Sequence, residues 1–351
     1  MKTTTTSSGR VPRLLSLFRR ELELCNVRPG ENIAIYTEGG EAAEYAEAWA
    51  TAAVALGATP FHLDLPAQAP STGSDIGGSP DGHGLAKNPA AVAALKAADM
   101  VIDLAFLLHS AEQEEITAAG TRMLICVEPV DTLERLFPTV ALRDEAKASY
   151  EMLKNAKTMR MSSAGGTEIS YEFGDYTASC QYGIADEPGR WDHFASALVG
   201  HLPSRGKAEG VVVLQPGDML FPFRRYVNDP VTMTVKDGFI TSFEGGSDAR
   251  FLRDFYESYA DPGAYQVSHV NWGLNPNARW DAIALGTGGI GMDCRSIRGG
   301  VLFSTGPNLH HGGDNATKCH VDIPMRNHSL WVDDQLIVDN GRVVHDALAQ
   351  A

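Results

Sequence analysis

Residues 32–65 read NIAIYTEGGEAAEYAEAWATAAVALGATPFHLDL, and this stretch decides the fold class. Residues 32–37 (NIAIYT) alternate in the manner of a strand. Glu38-Gly39-Gly40 breaks that pattern, and residues 41–56 follow as an Ala-rich helix that Gly57 stops. Residues 59–65 return as a second strand. A strand, a helix and a strand in succession form the repeating unit of a parallel sheet.

The same rhythm runs outward to about residue 165. Residues 11–26 have helical apolar spacing and end at Arg28-Pro29-Gly30. Helices are expected at 89–97, 112–119 and 142–157. Buried strands are expected at 100–104 (MVIDL) and 123–127 (MLICV), with a further strand near 159–162. Residues 66–87, rich in Pro, Gly and Ser, form a long loop. Beyond residue 165 strands dominate, at 168–173, 210–214, 231–236, 239–244, 300–304, 320–325, 329–332 and 336–339. One helix, at 247–259, interrupts them. Lys236-Asp237-Gly238 and Asp339-Asn340-Gly341 have hairpin-turn chemistry. The expected architecture is an α/β N-terminal domain with a mostly parallel sheet over residues 1–165, followed by an α+β C-terminal domain over 166–351.

Composition narrows the function class. A formal net charge of -15 repels nucleic acid and anionic membranes, so neither is an expected partner. Cys25, Cys126, Cys180, Cys294 and Cys319 are odd in number and form no C-x-x-C pair. They fit a reducing compartment and argue against a structural zinc knot. The opening MKTTTTSSGR lacks the apolar core of a signal peptide, and no apolar run reaches the length of a membrane span. A cytoplasmic enzyme is expected. GTGGIG at 286–291 follows no βαβ unit, so it does not read as a dinucleotide fingerprint.

Two segments carry metal-ligand chemistry. In Cys319-His320-Val321-Asp322-Ile323-Pro324, the imidazole and carboxylate alternate with apolar residues and project from one face of a strand. His269, in Ser268-His269-Val270, would complete two histidines and one carboxylate, the set that holds non-haem Fe(II) while leaving positions open. The spacing alone is weak. Chance produces roughly one His-x-Asp pair in a chain of this composition, and His62-Leu63-Asp64 is a second. A solvated pair on a surface strand fits the same pattern.

Three other places can carry chemistry. The segment Asp186-Glu187-Pro188-Gly189-Arg190-Trp191-Asp192-His193 crowds charges around a Pro-Gly turn, with His193 as a hydrogen-bond donor or proton shuttle, or as part of an exposed turn. His109 follows the buried strand MVIDL, where α/β sheets bind ligands, while Ser110 reads as a helix N-cap. Ser304, in Phe303-Ser304-Thr305-Gly306-Pro307-Asn308, either contacts a polar substrate or caps a turn. Adjacent His310-His311 on a Gly/Asn loop read as solvent-exposed.

Taken together, six ordered blocks resemble the 2,5-dihydroxypyridine 5,6-dioxygenases, which open the ring in bacterial nicotinate breakdown. The blocks are LLHS at 107–110, ADEPGRWDH at 185–193, GFITSFEGG at 238–246, SHVNWGLNP at 268–276, LFSTGPN at 302–308 and CHVDIPMRN at 319–327. The resemblance implies Fe(II) held by His269, His320 and Asp322 in the C-terminal domain. It implies that Leu108, His109, His193 and Ser304 line the substrate site, with a small aromatic N-heterocycle and dioxygen as substrates and a homo-oligomeric assembly. The wider fold resembles the M29 metallo-aminopeptidases. A metallohydrolase of that type is therefore the alternative function, although Ser268-His269 stands where those peptidases offer a glutamate. The family carries a glutamate where this chain has Gln181, in Cys180-Gln181-Tyr182-Gly183. Gln181 keeps hydrogen-bonding capacity without the charge or any base function, which bears either on the protonation of the bound ring or on the substrate's ring substitution.

Overall fold

The computed structural model describes residues 7–40, 42–67, 83–286 and 289–345. They form two compact units. The first takes the described residues up to 138 together with 183–195; the second takes 139–182 and those from 196 onward. Most of the expected long loop at 66–87, and the centre of the GTGGIG segment, lie outside the described residues.

The first unit is built on a five-stranded sheet in the order Thr59–Leu65, Asn32–Glu38, Met100–Asp103, Arg122–Ile125, Trp191–His193, and every pair is parallel. The five central residues of Asn32–Glu38 are all buried, as a parallel sheet covered by helices requires. Ala34, Tyr36, Val101 and Met123 pack with Leu95 of helix Pro89–Lys96 and Ile116 of helix Ala111–Ala118. Helices Ser7–Leu24 and Ala43–Ala55 meet where Phe18 stacks on Trp49, with ring centroids 4.0 Å apart. The parallel sheet read from residues 32–65 is therefore present.

The chain path differs from the expected boundary at residue 165. Helix Val140–Lys154 and strand Thr158–Ser163 belong to the second unit. That strand pairs antiparallel with both Glu168–Glu172 and His328–Val332, and Glu145 on the helix takes Arg298 at 2.7 Å. Residues 183–195 instead return to the first unit and add its fifth strand. Asp192 locks that return. Its buried carboxylate accepts the N–H groups of Gly183 (3.0 Å) and His193 (2.8 Å) and pairs with Arg190, whose Nε donates to the Ile184 carbonyl at 3.0 Å. Of the charges crowded at 186–193, Arg190 and Asp192 thus pair with each other and with the backbone of residues 183–193.

The second unit contains two larger antiparallel sheets. One has eight strands, ordered Phe239–Gly245, Val231–Lys236, Ala208–Leu214, Glu168–Glu172, Thr158–Ser163, His328–Val332, Gln335–Asp339, Arg342–Val343. The other has five, ordered Val321–Met325, Val301–Thr305, Val267–Gly273, Leu198–His201, Ser179–Gln181. Both expected hairpin turns form. Asp237 and Gly238 have φ of 50° and 77°, and Asn340 and Gly341 have 45° and 80°, the left-handed pair of a type I′ turn. Among the described residues no helix is long and apolar enough to cross a membrane.

The loop that follows Met100–Asp103 is organised by one carboxylate. Asp103 accepts the N–H groups of Ala105 (2.9 Å), Phe106 (3.0 Å) and Leu107 (2.6 Å). This fixes the turn in which Phe106 and His109 take φ of 67° and 62°. Burial pushes the Asp103 carboxyl up to about 6, against the three N–H bonds that favour its charged form. Because the folded value lies above the unfolded one, its stabilising contribution is full below about pH 4 and is lost as pH rises through about 6. Asp103→Asn should cost about 1–3 kcal/mol, since an amide N–H would then face a backbone N–H. The cost should be larger at about pH 4.5 than at about pH 7.5. Urea unfolding at the two pH values checks this, and an equal cost at both would contradict it.

Candidate metal centre

The five-stranded antiparallel sheet brings together residues that lie about fifty positions apart. Val301–Thr305 runs between Val267–Gly273 and Val321–Met325, so His269 and Asp322 arrive from the two strands flanking Ser304. Ser304 pairs directly with Asp322. His320 stands one residue before its strand begins, slightly later than the expected start at 320, and still shares a face with Asp322. On the other side the register with Val301–Thr305 shifts between Val267 and Val270. His269 lies inside that irregularity, which re-aims a strand side chain as bulges beside active sites do.

Three donor atoms converge. His320 Nε2 lies 3.1 Å from Asp322 Oδ1, and His269 Nε2 lies 3.4 Å from each of these two atoms. An ion bound at about 2.1 Å, with donors at right-angled or tetrahedral spacing, separates them by about 3.0–3.4 Å. The triangle therefore has the dimensions of a metal site. Lone-pair donors this close repel one another unless a proton or cation lies among them. Among the described residues this is the one group of three such side chains whose donor atoms meet.

The surroundings prepare these atoms for a metal. Asn271 Oδ1 lies 2.9 Å from His269 Nδ1 and takes its N–H, which leaves the Nε2 lone pair facing the triangle. Asn271 has room for this because its strand partner is Gly200; a Cβ there would lie 2.4 Å from the Asn271 side chain. Burial lowers the pKa of His269, which favours the neutral, ligating imidazole. Burial would raise the Asp322 carboxyl, but His320 and Arg295, together with His269, hold it well below the usual carboxylate range. Arg295 Nε donates to Asp322 Oδ2 at 2.8 Å, so Oδ1 is the oxygen turned toward the imidazoles. Ser304 is fully buried and its Oγ stands 3.3 Å from His320 Nε2.

The remaining candidate residues separate by unit. Gln181 ends the edge strand Ser179–Gln181 of the same five-stranded sheet, half-buried and paired with Leu198. Leu108, His109 and His193 belong to the first unit. There His109 meets Trp191 edge-on at 5.4 Å and His193 lies 6.1 Å from Phe106. Ser110 also caps helix Ala111–Ala118 by accepting the Gln113 N–H at 3.1 Å, so the structural role read for this segment is present. The second His-x-Asp pair is a local motif. The Thr37 hydroxyl lies 2.7 Å from both His62 Nε2 and Asp64 Oδ1. His311 gives its ring Nδ1 to the Thr177 carbonyl at 2.7 Å. Sequence reasoning missed Asn271 and Arg295. Asn271 was findable, because two residues from His269 on a strand it shares a face. Arg295 had no local signal.

The family model of the 2,5-dihydroxypyridine 5,6-dioxygenases matches residues 13–345. A 2,5-dihydroxypyridine 5,6-dioxygenase from Pseudomonas putida KT2440 is 39% identical over 336 residues, 95% of this chain and 96% of that protein. The solved structure of 2,5-dihydroxypyridine dioxygenase from the same organism superposes with a TM-score of 0.92 at 38% identity, covering 97% of this chain and 99% of that one. Wild-type AmpT from Thermus thermophilus shares the fold at a TM-score of 0.59 and 16% identity, covering 95% of this chain and 99% of its own. Six sequence blocks, the two-histidine and carboxylate triangle, and similarity along nearly the whole chain agree: the chain belongs to the 2,5-dihydroxypyridine 5,6-dioxygenase family.

Proposed function

We propose that this chain is an Fe(II)-dependent, extradiol-type dioxygenase that opens 2,5-dihydroxypyridine, or a close hydroxypyridine analogue, between carbons 5 and 6. The observation that carries the reading is the donor triangle of His269 Nε2, His320 Nε2 and Asp322 Oδ1 in a member of this family. Two imidazoles and one carboxylate on one face suit ferrous iron and leave its other positions for small oxygen ligands. When bound, the iron supplies those positions and exchanges electrons between ring and dioxygen. Both oxygen atoms enter the product, N-formylmaleamate, so no external reductant is consumed.

The protein's own groups orient the ring and move protons. Ser304 Oγ, beside His320, is assigned to hold the ring hydroxyl in register. His193 and His109 are assigned to proton handling: one takes the hydroxyl proton, and one returns a proton as the ring opens. Leu108 supplies apolar surface to the ring. Gln181 is assigned to the ring nitrogen or the 2-oxygen, as a neutral hydrogen-bonding group. The family resemblance supports these roles.

Protein purified without oxygen should contain one iron per chain and take up dioxygen when 2,5-dihydroxypyridine is added. His320→Ala should lose both the iron and the uptake. Peptide hydrolysis with two zinc or manganese ions per chain would instead favour the aminopeptidase-type reading. Asn271→Ala should keep the fold and lower iron affinity by about 10–100-fold, because His269 is no longer oriented; chelator competition measures this. Gln181→Glu should leave iron content unchanged and shift KM for 2,5-dihydroxypyridine by at least about five-fold relative to an analogue lacking the 2-oxygen. Unchanged relative KM values would remove Gln181 from the substrate contacts.

A further inference from the structure

Arg295 touches the donor set directly, and nothing in the family resemblance assigns it a role. We propose that Arg295 is a positioning residue that keeps Asp322 a one-oxygen metal ligand, and that it acts through the direction of its Nε–H bond rather than through its charge. The proposal rests on the reading that His269, His320 and Asp322 hold one metal ion.

A carboxylate can grip a cation with one oxygen or with two. Here Oδ1 faces the imidazoles, at 3.1 Å from His320 Nε2 and 3.4 Å from His269 Nε2, while Oδ2 accepts the Arg295 Nε–H at 2.8 Å. A two-oxygen grip requires Oδ2 to leave that bond. Arg295 cannot easily follow it. Its Nη1 donates to the Ile290 carbonyl at 2.5 Å, and its guanidinium lies over the Phe221 ring at 4.1 Å. Phe221 is itself tied to Asp322 by two backbone bonds, its N–H to the Asp322 carbonyl (3.0 Å) and the Asp322 N–H back to its carbonyl (3.2 Å). The stacking ring and the carboxylate therefore hang from one bridged backbone pair. Gly291, at φ +89°, leaves space for the stack: a Cβ there would lie 2.5 Å from Phe221 Cε1 and 3.1 Å from Arg295 Nη1.

This arrangement is poorly explained by stability. Arg295 is 7% exposed, and its Nη2 is buried without a hydrogen-bond partner. Burying a cation with an unmet donor is costly, and a packed apolar residue of similar volume commonly serves stability as well or better. What the buried fork secures is Oδ2, held away from the donor triangle. A position on the metal then stays available to substrate oxygen or dioxygen.

Two variants separate bond from charge. The Gln side-chain nitrogen stands at the same place along the chain as Arg Nε, so Arg295→Gln keeps an N–H donor and removes the charge, while Arg295→Met removes both. Each protein is loaded anaerobically with Fe(II), its stoichiometry measured, and nitric oxide titrated as a neutral stand-in for dioxygen, followed by the paramagnetic signal it produces. Wild type and Arg295→Gln should bind one iron and take nitric oxide within about three-fold of each other. Arg295→Met should retain iron and bind nitric oxide at least about ten-fold more weakly, the scale of effect expected when a ligand's outer partner is lost. Nitric oxide binding by Arg295→Met at wild-type strength overturns the proposal, and so does Arg295→Gln behaving like Arg295→Met. If Arg295→Met does not fold, Arg295→Gln against wild type decides: equal binding supports the proposal and a ten-fold loss overturns it. If wild type takes up no iron, the metal reading itself fails and the proposal with it. One iron per chain with the wrong nitric oxide pattern overturns the proposal alone.

Discussion

The second unit is organised around a constraint that is costly to satisfy: two imidazole nitrogens and a carboxylate oxygen held 3.1–3.4 Å apart, with Asp322 and His320 buried. Such atoms stay together only if something fixes each from behind. Asn271 fixes His269, Arg295 fixes Asp322, and the pairing of Val321–Met325 with Val301–Thr305 fixes the strand that His320 adjoins. The antiparallel sheet is the right scaffold for this. Neighbouring strands lie about 4.8 Å apart, so side chains from two strands flanking a third can converge over the small residue between them. Ser304 is that residue.

The first unit solves a different problem. A parallel sheet needs both faces covered, and the helices between its strands do that. Its candidate residues lie at the carboxyl ends of strands, Leu108 and His109 in the loop after Met100–Asp103 and His193 as the last residue of Trp191–His193. Asp103 spends its carboxylate on three backbone N–H groups so that the residues from Phe106 to His109 can hold a conformation with two left-handed positions. Asp192 does the equivalent for the returning segment that carries His193. In both places a buried carboxylate orders the backbone next to a candidate functional histidine.

Much of this was legible in the residues, and the exceptions have physical causes. Local signals survived well: the βαβ start at 32–65 and the Asp-Gly and Asn-Gly turns depend on neighbours in sequence. The domain boundary did not, because a helix followed by a strand at 140–163 reads alike whether its strand pairs parallel nearby or antiparallel with residues 328–332. Residues 183–195 rejoin the first sheet through a single edge strand too short to announce itself. In the five-stranded antiparallel sheet, the His-x-Asp spacing was readable but ordinary, and His62-x-Asp64 shows how a matching pair becomes a hydroxyl-bridged surface motif instead. The irregularity that aims His269 and the arrival of Arg295 from 27 positions upstream of Asp322 are products of tertiary packing.

As proposed, one ferrous ion in the His269–His320–Asp322 triangle makes this chain a ring-opening dioxygenase. The most direct measurement is anaerobic reconstitution of metal-free protein with stepwise Fe(II), followed at each step by loss of 2,5-dihydroxypyridine and consumption of dioxygen. This proposal requires activity to rise linearly and to break at one iron per chain, with one dioxygen consumed per ring opened and no activity when zinc replaces iron. A break at two metals per chain, or full turnover with zinc, would contradict it.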